Sequence, residues 1–310
     1  MCPNGRTLDA DGIFQQGGTG LIRFGLIGVN TSHADAFSRI LNGAGVEPPQ
    51  VDGARIVSVW GDDGERVDGL AATHRIAATA TDPTDMLDQV DAVLIVDDTG
   101  GGATHARLAT PFLEAGMPVF IDKPMTTDYA DAVALFEIAD RTRAPLLSCS
   151  ALRFAAELEP ARAELARIGT LSSVVSVGPG DWFYYGVHAV ELLSAIVGAG
   201  ARSVHRQAFN GRDVVVIDYG DGPTAVVETL RDAAFVFEMT AYGEHGHTSF
   251  EVVDHLAFYA NTMREVVKMA QTGVSPLASE HTLEVLAILH AGVRSGETRA
   301  TVDLASFTAS

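Results

Sequence analysis

Phe24-Gly25-Leu26-Ile27-Gly28-Val29-Asn30-Thr31-Ser32-His33 is the stretch whose reading decides the fold. An apolar run passes through one glycine into Asn-Thr-Ser, and Phe37, Ile40 and Leu41 then follow at i, i+3, i+4. A strand that turns at a glycine straight into a helix opens a parallel α/β unit. Thr31 or Ser32 can cap that helix, with Asp35 placed to complete a capping box from Ser32.

Working outward, short β-branched or apolar runs recur at 23–28, 55–60, 92–96, 118–121 and 145–148, with helical patterns between them. Strands apolar on both faces that alternate with helices predict a doubly wound parallel sheet covered on both sides. One segment, 105–115, carries Pro111 inside its helical pattern, which calls for a kink or a late helix start; Gly116 supplies the stop. Beyond about residue 150 the rhythm changes. Runs at 171–177, 203–209, 213–219, 225–230 and 234–239 are joined by short turns such as Asn210-Gly211, which predicts a mostly antiparallel open sheet. Two helices follow, one striped by Leu256, Tyr259, Met263, Val266 and Ala270, the other by Leu283, Leu286 and Leu289. The expected organisation is a loose leader over 1–20, a nucleotide-binding α/β domain over 21–150 and an α+β domain for substrate binding and oligomerisation over 151–310.

A length of 310 residues allows roughly two domains at ~150 residues each. The net charge of −19 at pH 7 repels phosphate backbones and anionic lipid, which argues against nucleic acid and membrane surfaces as partners. Cys2 and Cys149 are too few for a disulfide framework. No run approaches ~18 apolar residues and 1–20 lacks a signal-peptide pattern, so a cytoplasmic protein is expected.

Three constellations carry chemistry. A dinucleotide fingerprint places glycine at the positions held here by Gly28, Asn30 and His33, and only Gly28 is present. The amides at that helix start still suit a phosphate; a turn that binds nothing is the alternative. Asp62 and Asp63 follow the second strand with no arginine directly after it, which favours NAD over NADP, although solvated turn acids read the same way. The second constellation is Val119-Phe-Ile-Asp122-Lys123-Pro124. Only two lysines stand against 19 arginines, and one ends a strand where a proline forces a turn. A compact ammonium there can polarise an oxygen; a surface lysine is the bland alternative. The third is Gly180-Asp-Trp-Phe-Tyr184-Tyr185-Gly-Val-His188-Ala-Val-Glu191, where a helix from Gly186 would set His188 and Glu191 on one face below two tyrosines. His188 there can exchange a proton near neutral pH, or be a structural histidine. Glu244-His-Gly-His247 has the spacing of a weak metal pair and reads better as a polar turn, so no metal is expected.

Taken in order, the strand–turn–helix, the Asp122-Lys123-Pro124 strand end, Arg153-Phe154 after the last parallel strand and Gly186-x-His188-x-x-Glu191 resemble the Gfo/Idh/MocA family, typified by glucose-fructose oxidoreductase and inositol dehydrogenase. The likeness covers about residues 21–305. It implies a Rossmann domain followed by an open-sheet domain, an NAD-dependent oxidoreductase acting on a sugar, cyclitol or related polyol, and a homodimer or homotetramer. It also implies that Lys123 binds the reacting oxygen, that His188 moves the proton, and that Tyr184 stands where the family has an aspartate. Asn30, Thr31, Ser32, His33, Asp62, Asp97 and Asp122 join Gly28 as cofactor contacts, and Arg153, Tyr185 and Glu191 join Lys123 and His188 as substrate contacts. Two rival readings remain: a non-catalytic ligand-binding or regulatory protein whose glycine turn has degraded, and an enzyme that retains NAD and oxidises transiently for glycoside cleavage or epimerisation.

Overall fold

The computed structural model describes residues 20–308, which form two compact units. The first holds the described residues through Asp122 with Ala134–Leu147 and Met263–Pro276; the second holds Lys123–Val133, Ser148–Thr262 and the chain from Leu277 onward. The expected leader over 1–20 lies, but for Gly20, outside the described residues, as does Cys2.

A six-stranded sheet is built from β1 (Ile22–Ile27), β2 (Ala54–Trp60), β3 (Ala78–Thr79), β4 (Ala92–Ile95), β5 (Val119–Ile121) and β6 (Leu146–Ser148), in the order β3-β2-β1-β4-β5-β6. β1 pairs in parallel with β2 and with β4, so the order reverses beside β1. Every residue of β4, β5 and β6 is buried, as two-sided cover requires. Helices α1 (Ser32–Asn42), α2 (Gly64–His74), α3 (His105–Glu114) and α4 (Tyr129–Thr142) follow the strands. α1 buries Phe37, Ile40 and Leu41, and at roughly 2 kcal/mol per buried side chain that stripe outweighs weak helix propensity. Its cap is Thr31, which accepts from the His33 amide at 3.3 Å. The expected box from Ser32 does not form, because Asp35 accepts instead from Nε2 of buried His74 at 2.9 Å. α3 runs continuously through Pro111, with neither the late start nor a break, and ends where Gly116 takes φ +72° and Met117 N–H reaches Phe112 O.

The second sheet contains β7 (Leu171–Pro179), β8 (Ser203–Phe209), β9 (Arg212–Asp218), β10 (Thr224–Leu230), β11 (Glu238–Gly243), β12 (Gly246–Glu251) and β13 (Val302–Asp303), ordered β12-β11-β7-β10-β9-β8-β13. Only the β7–β10 pair is parallel among the pairings found. Strand alternation buries one face: in β9, Val215 and Ile217 are inside and Val216 is outside. Helices α5 (Leu158–Ile168), α6 (Gly186–Val197), α7 (His255–Thr272), α8 (Ser279–Thr298) and α9 (Ala305–Thr308) complete the described chain. The strand expected over 234–239 is displaced: residues 231–237 are irregular and pairing starts at Glu238. Phe235 and Phe237 there form an edge contact at 5.4 Å, so their spacing serves a ring cluster and not strand alternation. Leu256, expected on the buried stripe of α7, is 61% exposed; Phe258, Met263 and Val266 face inward.

Candidate active site

In the first unit, β1 ends at Gly28, whose φ of +103° suits glycine. A Cβ there would lie 2.4 Å from the Asp97 backbone nitrogen at the end of β4. The first fingerprint glycine is therefore demanded by backbone crowding. Asn30 does not adopt the positive φ that would mimic the second glycine. Its side chain instead takes the Asp98 N–H at 2.8 Å and donates to Thr99 Oγ1 at 3.1 Å, tying the turn to the loop after β4. His33, at the third position, is buried and its Nδ1 lies 2.6 Å from Asp122 Oδ2, linking α1 to the end of β5. Asp97 receives the Thr99 and Thr104 hydroxyls, while its carbonyl meets His105 Nε2 at 2.7 Å. Asp62 is exposed after β2, and Asp63 is used as the cap of α2, accepting from Arg66 N. Of the cofactor contacts expected, Asn30, Ser32 and Asp62 face solvent and Thr31 does so in part; Asp97 and Asp122 spend their carboxylates within the unit.

The second unit gathers Lys123, Tyr184, Tyr185 and His188. Lys123 is 8% exposed, whereas the other lysine, Lys268, is on the surface beside Glu265. The Lys123 ammonium sits 4.1 Å from the Tyr184 ring centre and 5.9 Å from that of Tyr185. A cation over two aromatic faces is held electrostatically without a carboxylate to neutralise it. Tyr185 continues the contact to His188, ring centres 6.0 Å apart.

This segment is positioned from below. Trp182 is 1% exposed and donates to Leu289 O of α8 at 2.9 Å, pinning the chain two residues before the tyrosines. Asp181 Oδ1 accepts the Tyr184 amide at 2.9 Å, and its carbonyl accepts those of Tyr185 and Gly186, turning the chain into α6. Gly180 has φ +75°, and a Cβ there would fall 2.5 Å from the Tyr185 ring. His188 Nδ1 is 2.6 Å from the hydroxyl of Ser150, a residue the sequence reading passed over. Ser150 also caps the short helical turn Ala151–Phe154, and its own amide reaches Glu191 Oε1 at 3.3 Å. Glu191 is 2% exposed and its other oxygen takes Arg153 Nε at 2.5 Å. Burial pushes the Glu191 carboxyl above its usual range against the opposing pull of Arg153. Glu191 and Arg153, expected as substrate contacts, are thus a buried ion pair linked to His188 through Ser150, two hydrogen bonds away. Glu244-His-Gly-His247 is the β11–β12 turn, where His247 stacks on Tyr242.

A parallel sheet whose order reverses beside a glycine turn, joined in one chain to a seven-stranded open sheet, defines a protein of the Rossmann-plus-open-sheet class. Residues 22–148 match the model of the oxidoreductase family with an NAD-binding Rossmann fold, GFO_IDH_MocA. Among curated proteins, inositol 2-dehydrogenase of Rhodococcus erythropolis is 33% identical over 116 residues, 37% of this chain and 31% of that one. Inositol 2-dehydrogenase 4 of Saccharopolyspora erythraea is 29% identical over 47% of this chain and 40% of that one. The chain thus spans about a third of the length of the curated relatives it matches. In overall fold it is similar to scyllo-inositol dehydrogenase of Lactobacillus casei, solved with bound NAD(H) and scyllo-inositol: TM-score 0.80, 15% identity, 92% of this chain and 99% of the other. GenD2 from gentamicin A biosynthesis, solved with NAD, gives a TM-score of 0.79 at 18% identity over 92% and 96% of the two chains.

Proposed function

We propose that the chain is an NAD-dependent oxidoreductase that exchanges hydride with a secondary alcohol or ketone of a sugar, cyclitol or related polyol. The observation that carries this reading is the buried Lys123 ammonium beside the tyrosine pair that also touches His188. The first unit fits a dinucleotide. A glycine stands where backbone crowds the turn, Asn30 and Ser32 are exposed at the amino end of the 11-residue α1, and Asp62 is exposed after β2. Those residues would hold the pyrophosphate and ribose; an acid at position 62 repels a 2′-phosphate, which favours NAD. The chemistry NAD supplies when bound is acceptance of the hydride lost by the carbinol carbon.

Lys123 would bind the carbinol oxygen and stabilise the negative charge that develops there as the O–H bond breaks. His188 would take the hydroxyl proton on its ring nitrogen and return it in the reverse reaction. Ser150 holds the other ring nitrogen and is neutral, so it orients the imidazole without the charge a carboxylate would add. Arg153 and Glu191 support Ser150 from within the unit. The open face of the second sheet places Val175, Val226 and Val216 in one cross-strand row, which suits pairing with a second copy and supports a homodimer or homotetramer.

A second reading, a binding protein with a degraded turn, is favoured by the engagement of Asn30 and His33 in side-chain bonds. Nicotinamide absorbance, followed on purified protein with NAD and a panel of polyols, separates the readings. Growth of the reduced-cofactor band with one or more polyols supports hydride transfer. Copurified NAD without net turnover points to transient oxidation, and absence of NAD binding points to the binding protein.

A further inference from the structure

The ring contacts around Lys123 and His188 do not stop at the two tyrosines. Tyr185 meets Phe235 edge-on at 6.1 Å, Phe235 meets Phe237 at 5.4 Å, and Phe237 meets the His188 ring at 5.4 Å. With Tyr184 against Tyr185 at 5.6 Å, four aromatic rings form one continuous series past both chemical side chains. Phe237 is buried, Tyr184 and Tyr185 are half-buried, and Phe235 is 63% exposed. Nothing in strand alternation explains Phe235, because 231–237 belongs to no strand. Phe235 leaves one ring of this series open to solvent directly beside Tyr185, where an apolar group can pack on it.

The polar inventory points the same way. A fully hydroxylated ring presents a donor and an acceptor at nearly every carbon, and a site for it needs side chains to match. Here the three carboxylates nearest in the chain are already engaged, Asp122 on His33, Asp181 on the Tyr184 amide and Glu191 on Arg153. A tyrosine also stands at 184. The rings of Tyr184, Tyr185 and Phe237 lie against Lys123 and His188, whose imidazole also meets the Ser150 hydroxyl.

We infer that the substrate is an alcohol carrying an aromatic or comparably flat apolar substituent, an aryl glycoside being the simplest form, with Phe235 and Tyr185 packing against that substituent while Lys123 and His188 hold the carbinol. This rests on the oxidoreductase reading and narrows its substrate class. The oxidised carbon remains on the sugar ring; the substituent contributes binding through ring packing and area removed from water.

The test compares phenyl and methyl glycosides of the same hexose, with glucose and galactose as the sugars, so that every ring hydroxyl is held constant. With NAD present, kcat/KM for the phenyl glycoside is expected to exceed that for the methyl glycoside at least about tenfold. Phe235→Ala should lower the phenyl value about tenfold more than the methyl value. Equal values for the two glycosides, or an equal loss on both in Phe235→Ala, overturns the inference. If no alcohol is oxidised, the hydride-transfer reading fails by itself, and calorimetric binding of the same two glycosides to the protein with NADH decides the substituent. A phenyl preference lost in Phe235→Ala upholds it, and equal or absent binding overturns it.

Discussion

Two glycines, Gly28 in the first unit and Gly180 in the second, hold positive φ at the entrance to a helix, and they differ in what crowds them. At Gly28 the obstruction to a Cβ is the backbone of Asp97, 2.4 Å away; at Gly180 it is the ring of Tyr185, 2.5 Å away. Backbone in the centre of a parallel sheet cannot retreat, whereas a half-buried ring can swing on its χ angles. Gly28 is therefore a condition of folding, and Gly180 a condition of where Tyr185 points. The same split separates the regions around them. The β1–α1 turn is closed by Asn30, His33 and Asp97 bonding within the unit, while the 180–188 segment keeps Tyr184, Tyr185 and His188 half-buried beside the buried Lys123.

The sharpest way to break this comparison is to add the same methyl group at both places. Gly28→Ala should cost about 3 kcal/mol of stability in chemical denaturation, from positive-φ strain and overpacking together. Gly180→Ala should cost about 1 kcal/mol, the strain alone, while kcat falls roughly tenfold as Tyr185 is displaced, about 1.4 kcal/mol of barrier. Ser150→Ala belongs with Gly180: a similar loss of kcat with NAD affinity unchanged is expected from losing the bond that orients His188. An equal loss of stability in the two glycine variants would erase the distinction, and a loss of NAD affinity in Ser150→Ala would place that residue elsewhere in the scheme.

A smaller effect comes from His290, which packs edge-on against Phe183 at 5.1 Å and is held below its ordinary pKa by burial, with Asp128 pulling the other way. In the window between that lowered folded value and the ordinary unfolded value near ~6.5, the unfolded chain binds the proton and the folded chain does not. The contribution is thus fully present above about pH 6.5 and is lost as pH falls below it. Thermal melts of the wild type should drop more steeply on acidification than those of His290→Gln. Parallel curves for the two would remove His290 from the account.

Much of the architecture was legible because burial leaves a strong pattern. β4, β5 and β6 are sealed on both faces, and β9 and β10 alternate cleanly, so their residues announce them. β12 was missed because Gly246-His-Thr-Ser-Phe-Glu251 is a polar edge strand with no residue fully inside. The displacement of β11 has a related cause: Phe235 and Phe237 keep a period of two while serving ring contacts that only the folded chain reveals. Within the candidate site, Lys123 and His188 could be singled out because their residue types and positions are unusual. Ser150 could not, since a serine after an apolar run is ordinary until the His188 ring is found 2.6 Å from it. Nor could the partners of Asn30, His33 and Asp35, which lie from 39 to 89 residues away in the chain.

The most direct test of the central claim is nicotinamide reduction by the wild type and by Lys123→Met, each with NAD at saturation and the same set of polyols and aryl glycosides. The account predicts reduction by the wild type, a loss of ~10²-fold or more in the variant as expected for removal of an electrostatic contact at the developing charge, and NAD binding within about twofold of the wild type. Equal loss of NAD binding and turnover, or turnover that survives the substitution, would contradict it.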